Sequence, residues 1–283
     1  KSLGDIVQSV EEMNDHYFVA VNHSNKISIL NKSTFIESAS INAIQSPRYI
    51  TQVSHSKAYI SCLYYPRVYV IDLNTNTLIK TITVDYPNTE RMLVSNGFCY
   101  VTNWDTASAY IYKINIATDS IVQKITLNCK ASHEIMQDKN GMLWVLSGNK
   151  FKNTSSNLSQ YNPVTNQLIR TIPFNADADP IRLRLNSTKD TMYFINVNYN
   201  GSATNNGLYK MGIDEHVIPS SPFIQANINS YFWALGIDSS SQHIFISDPK
   251  GFTQQSTVYE YTSNGLLLHQ YTAGIGANYF LFK

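Results

Sequence analysis

Short apolar runs rich in β-branched and aromatic residues punctuate this chain, each bounded by Asn, Asp, Ser, Gly or Pro, and one kind of run returns about every forty to fifty residues. The stretches Tyr17-Phe18-Val19-Ala20-Val21, Ala58-Tyr59-Ile60-Ser61-Cys62, Cys99-Tyr100-Val101-Thr102-Asn103, Leu143-Trp144-Val145-Leu146, Met192-Tyr193-Phe194-Ile195-Asn196 and His243-Ile244-Phe245-Ile246-Ser247 align, with second positions 41, 41, 44, 49 and 51 residues apart. A period of this size built from β-forming runs predicts an all-β fold, a β-propeller of four-stranded antiparallel blades.

The second repeat shows the unit most clearly. Tyr49 to Val53 reads as its innermost strand, Lys57 to Cys62 as the second, Val68 to Asp72 as the third and Leu78 to Val84 as the outermost, with Asn74-Thr75-Asn76 turning between the last two. The third strand returns at Lys26 to Leu30, Tyr110 to Ile114, Asn157 to Tyr161, Leu208 to Met211 and Val258 to Tyr261. Six units follow, at roughly 3–44, 47–84, 89–128, 131–174, 178–224 and 232–274, within a single domain spanning 1–283. Ala277 to Phe282 is left over and reads as one more innermost strand, belonging to an incomplete closing blade between the sixth unit and the first. No helix is expected; Ser9 to His16 fits a strand end and turn. The longest inter-strand connections, 148–157, 198–206 and 248–256, all join a second strand to a third, which in a propeller gathers them at one mouth of the central channel.

Composition narrows the function. Only 14 % of the 283 residues are charged and the net charge is +1, so nothing draws a phosphate backbone, and nucleic acid is not an expected partner. Asn, Ser and Thr supply the polar surface beside 19 Tyr and 12 Phe, which suits an extracellular or periplasmic β-protein. The three cysteines, Cys62, Cys99 and Cys129, match no zinc or redox spacing and are expected to act as small buried apolar residues. No apolar run is long enough for a membrane helix. Lys1 at the start, with no apolar leader, reads as the beginning of a mature or trimmed fragment.

For catalysis the chain offers no Gly-x-Ser-x-Gly elbow and no clustered histidines; His133 beside Glu134 is the best candidate pair, read either as a metal or lyase site or as a solvated polar pair. For binding it offers more. At the predicted starts of inner strands stand Arg48 and Tyr49, Arg91, His133, Arg182 and Trp233, and the loops above them carry Tyr64, Tyr65, Arg67, Trp104, Phe151, Tyr199 and Phe252. Aromatic faces with a few hydrogen-bonding groups suit a large flat ligand or a sugar; packing between blades is the alternative for each ring. No metal or catalytic residue is expected among them.

Leu3-Gly4-Asp5-Ile6-Val7-Gln8-Ser9, Ser46-Pro47-Arg48-Tyr49-Ile50, Tyr100-Val101-Thr102-Asn103-Trp104, Gly141-Met142-Leu143-Trp144-Val145-Leu146 and Val258-Tyr259-Glu260-Tyr261-Thr262 resemble the YncE-like propellers of bacterial cell surfaces, in particular surface-layer-type lipoproteins of Gram-negative gut bacteria. The resemblance implies a seven-bladed propeller whose closing blade is completed by a segment upstream of Lys1. It implies an outward-facing, lipid-anchored place at the outer membrane. It also implies a function: some members capture cobalamin, a transported ligand rather than a cofactor, and pass it to a TonB-dependent outer-membrane transporter. A non-enzymatic corrinoid-binding protein is thus the leading expectation, with a scaffold that binds protein or glycan, and a propeller lyase or hydrolase, as alternatives.

Overall fold

A computed structural model describes residues 3–149, 151, 153–198 and 204–282. They form six four-stranded antiparallel sheets, the blades of an all-β propeller, and the helical turns are short, the clearest being a 3-10 turn at Lys250–Phe252. The chain divides into two compact units, 1–133 and 134–283.

The first unit holds three sheets in simple meander order: β1 (Val7–Met13), β2 (His16–Val21), β3 (Lys26–Asn31) and β4 (Glu37–Asn42); β5 (Pro47–Ser54), β6 (Lys57–Cys62), β7 (Arg67–Asp72) and β8 (Thr77–Thr83); β9 (Thr89–Ser95), β10 (Phe98–Asn103), β11 (Tyr110–Asn115) and β12 (Ser120–Thr126). The second holds the sheets of β13 (Ser132–Gln137), whose first residues fall before the division, β14 (Leu143–Asn149), β15 (Thr154–Asn162) and β16 (Gln167–Pro173); of β17 (Asp179–Leu185), β18 (Thr191–Val197), β19 (Gly207–Gly212) and β20 (Ile224–Gln225); and of β21 (Ala234–Ile237), β22 (Ile244–Asp248), β23 (Gln255–Tyr261) and β24 (Leu267–Ile275).

Second and third strands are apolar on both faces because each face meets a neighbour. In the first unit Phe18, Ala20, Ile27 and Ile29 pack on Ile50, Ile60, Tyr69 and Ile71 of the next sheet, while Tyr59, Val68 and Val70 face the other way onto Cys99, Val101 and Tyr112. The second unit repeats the scheme, with Trp144, Leu146 and Leu158 against Leu183, Phe194 and Tyr209. Outer strands need only one inward face, and one isoleucine in each of four of them is buried: Ile41, Ile82, Ile125 and Ile172. All three cysteines are free thiols and buried.

Turns between third and fourth strands are set by one side-chain oxygen. The Oδ1 atoms of Asn31, Asp72, Asn115 and Asn162 each accept the backbone N–H groups two and three residues on, at 2.7–3.2 Å, so the turn expected at Asn74-Thr75-Asn76 and its counterparts in three other blades are Asx turns, each a polar tetrad opened by Asn or Asp. In the first unit the connections at the other end of the blades are sewn to one another. Asn88 N donates to Leu63 O at 2.9 Å and Trp104 N to Asn88 O at 2.8 Å, so the second-to-third-strand loops and the links between blades share one edge.

Ala277–Phe282 departs from the sequence expectation, for it forms no strand. Two serine hydroxyls replace the ladder: Ala277 N donates to Ser256 Oγ at 3.0 Å, and Ser247 Oγ donates to Ala277 O at 2.7 Å. The rings of Phe280 and Phe282 then lie 6.1 and 5.2 Å from that of Phe245, over Gly236 of β21. A Cβ at Gly236 would lie 2.7 Å from the Phe280 Cβ and 2.8 Å from the Phe282 ring, so the lack of a side chain there is what admits the segment. Gly236→Ala is expected to lower stability by about 1–3 kcal/mol through overpacking. Amide exchange should rise first at residues 277–282; unchanged protection there would show that the phenylalanines do not depend on this gap.

Candidate functional site

Inner strands carry bulges next to the loop-bearing edge, and the bulges determine where the expected site residues go. Register is broken between Pro47 and Ile50 in β5, between Thr89 and Met92 where β9 pairs with β10, and between Ile181 and Arg184 in β17, so Arg48 and Tyr49, Glu90 and Arg91, and Arg182 all stand at unpaired positions. A bulge turns side chains out of the regular alternation. Arg182 shows it directly, with φ of 61°.

In the first unit the consequence is a buried charge cluster. Arg48 Nε donates to both carboxylate oxygens of Glu90, at 2.9 and 3.1 Å, and its Nη1 reaches Gln8 Oε1. Tyr49, only 4 % exposed, lies with its ring 3.8 Å from the Arg91 guanidinium and 5.4 Å from that of Arg48. These residues brace adjoining inner strands, and the Tyr49 face is already covered by a cation. Glu11 on β1 completes the group. Burial pushes its carboxyl up to about 7, against the pull of the positive charge on Arg91 and with a further push from Glu12.

Above this cluster the loops stay open. Tyr64 is 67 % exposed and Tyr65 38 %, with the Arg67 guanidinium 4.9 Å from the Tyr65 ring centre. Trp104 and His133, both half-buried, meet edge to face at 6.2 Å.

In the second unit three expected residues converge. Arg182 Nε donates to Trp233 O at 3.0 Å, its guanidinium lies 5.4 Å from the Trp233 ring, and Nη2 reaches Asn278 Oδ1. Phe252 stands edge-on to Trp233 at 5.1 Å and is 43 % exposed. Phe151, 67 % exposed, projects from the connection after β14. Glu134, 3 % exposed, takes a hydrogen bond from Arg184 Nη1 at 3.1 Å, a strut like that between Arg48 and Glu90. Tyr199 lies outside the described residues.

Sequence reading left Gln8, Glu11 and Arg184 out of the site. Each stands on an inner strand near an expected residue, and alternation from Arg182 to Arg184 was the available signal for the last. Among the described residues no three His, Cys, Asp or Glu side chains converge on a metal-sized space, and no helix is long and apolar enough to cross a membrane.

Residues 1–279 match the family described as Domain of unknown function (DUF5074). The chain belongs to the DUF5074 family. No curated protein matches it in sequence. Among solved structures it is similar to the hydrazine synthase of Kuenenia stuttgartiensis, at 12 % identity and a TM-score of 0.73 over 98 % of this chain and 91 % of that one. It is similar to a quinonprotein alcohol dehydrogenase-like protein of Bacteroides thetaiotaomicron, at 15 % identity and a TM-score of 0.75 over 97 % and 68 %. It also resembles the extracellular domain of a protein described as a one-component system of the same organism, at 14 % identity and 0.67, over 93 % of this chain and 34 % of that one. At such identities the likeness carries the propeller fold and no site.

Two measurements separate bracing from binding among the DUF5074 residues described above. Arg48→Ala leaves the buried Glu90 carboxylate without its ion pair and is expected to cost about 3–5 kcal/mol in urea unfolding, a loss too large for a surface ligand contact. The folded Glu11 carboxyl keeps its proton up to about pH 7, whereas an unfolded glutamate gives it up near 4.5. Its contribution is therefore fully present below pH 4.5 and is lost as pH rises through 7, by up to about 3 kcal/mol. Relative to Glu11→Gln, the wild-type chain should thus lose stability between pH 4.5 and 7.5; parallel stability curves for the two would contradict this.

Proposed function

We propose that this chain is a non-enzymatic binding protein of the bacterial cell surface that takes a corrinoid on its loop-bearing edge for delivery to an outer-membrane transporter. One observation carries the reading. Tyr64, Tyr65 and Phe252 on the second-to-third-strand loops are exposed, while Tyr49 on an inner strand is packed away: Tyr65 lies against the Arg67 guanidinium, and Phe252, 43 % exposed, stands edge-on to Trp233, whose ring lies by the Arg182 guanidinium. Rigid aromatic faces bury area at little entropic cost, and neighbouring amides and guanidinium groups suit the amide rim of a broad, partly apolar macrocycle.

Each unit offers its own set of residues, and each is tested separately. Calorimetric titration with cyanocobalamin and with cobinamide is expected to give saturable heat. Exposed aromatic anchors act as hot spots, so Phe252→Ala in the second unit, or Tyr64→Ala and Tyr65→Ala in the first, should weaken binding about tenfold or more where that set is the one used. Absence of heat and of any thermal shift well above micromolar ligand would remove the corrinoid reading.

A further inference from the structure

A cleft of 220 Å³ opens in the second unit between the connection 226–233 and the loop after β22, lined by Asn227, Asn229, Tyr231, Asp248 and Lys250, with Ile228 at its lip. Its floor is a carboxylate whose charge is fully engaged. Asp248, 3 % exposed, accepts from Ser230 Oγ at 2.8 Å, from Lys250 Nζ at 3.0 Å and from Lys250 N at 2.9 Å. The cleft is thus formally neutral yet rich in groups that both donate and accept, two carboxamides, a phenol and a paired ammonium and carboxylate. Neither a free anion nor a free cation finds a net charge there.

The backbone around it is held in an uncommon form. Lys250, Gly251 and Phe252 adopt φ of 50°, 65° and 60°, the one run of three left-handed residues among those described, and Asn229 across the cleft has φ of 62°. Left-handed backbone at a lysine and a phenylalanine is strained, and such strain collects where structure serves a site. Here it directs Lys250 into the cleft while Phe252 goes to Trp233.

We infer that this cleft is a saccharide subsite that takes one neutral sugar residue. Vicinal hydroxyls donate and accept at once and match the paired carboxamides and the Asp248–Lys250 couple, while Ile228, 88 % exposed, and the Tyr231 ring offer apolar surface to the C–H face of a pyranose. The volume lies below the roughly 300–1,000 Å³ of clefts that hold drug-sized molecules, and so admits a single ring rather than a macrocycle. The inference does not rest on the corrinoid reading.

Saturation-transfer NMR on the full chain, with D-glucose, D-galactose, D-mannose and N-acetylglucosamine as free sugars and short oligosaccharides, is the test. At least one sugar should show transfer and a dissociation constant at or below the millimolar range. Asn229→Gly and Lys250→Gly keep the left-handed backbone while removing the polar groups, and each should weaken that binding at least tenfold; the melting temperature should be unchanged in Asn229→Gly and lower in Lys250→Gly, which leaves the buried Asp248 carboxylate without its ion pair. Cyanocobalamin titration of the same variants should match the wild-type chain. No transfer from any of these sugars, or transfer that persists undiminished in both variants, would overturn the proposal.

Discussion

Blades with two apolar faces are the constraint on which the rest depends. A strand such as Tyr17-Phe18-Val19-Ala20-Val21 presents large side chains alternately to both sides of its sheet, and all five are nearly or fully buried. One sheet cannot bury both of its own faces, so each needs a neighbour on either side. Hydrophobic burial at about 25 cal/mol per Å² makes this stacking the main stabilising term. The outer strands, four of which bury one isoleucine while β24 buries nothing, mark where the requirement ends.

Inner strands face a different demand, because they bring backbone and side chains of successive blades close together. The solution is polar and local. Thr89 Oγ1 accepts from Cys62 N at 2.7 Å and Ser132 Oγ from Asn103 N at 3.0 Å, so a hydroxyl opening one inner strand satisfies the last amide of the preceding blade's second strand. Bulges beside these hydroxyls turn Arg48 and Glu90 towards each other, and Arg182 towards Trp233. An ion pair nearly withdrawn from solvent carries a desolvation cost that offsets much of its attraction, so these pairs set side-chain positions more than they add stability.

In those loops the two candidate ligand surfaces of the second unit lie on either side of one strained turn. Lys250 goes to a neutral polar cleft and Phe252 to an aromatic shelf beside Arg182. The separation follows from three successive left-handed residues, which reverse the direction of neighbouring side chains over a very short length of chain. Substitutions confined to one side therefore report on one surface.

By itself the sequence determined the repeat, the strand order and the turns, because these rest on periodicity and on side chains acting within two or three residues of themselves. Asn31, Asp72, Asn115 and Asn162 make the same bonds wherever such a tetrad falls. Only tertiary structure decided which expected site residues are free to bind. Tyr49 and Tyr64 looked alike as aromatic residues near a blade edge, yet one is sealed beneath Arg91 and the other is open. Bulge positions, ion pairs spanning 42 or 50 residues, and the docking of Phe280 over Gly236 all depend on which blades become neighbours. No local pattern encodes that, because each of those contacts exists only after the sheets have stacked.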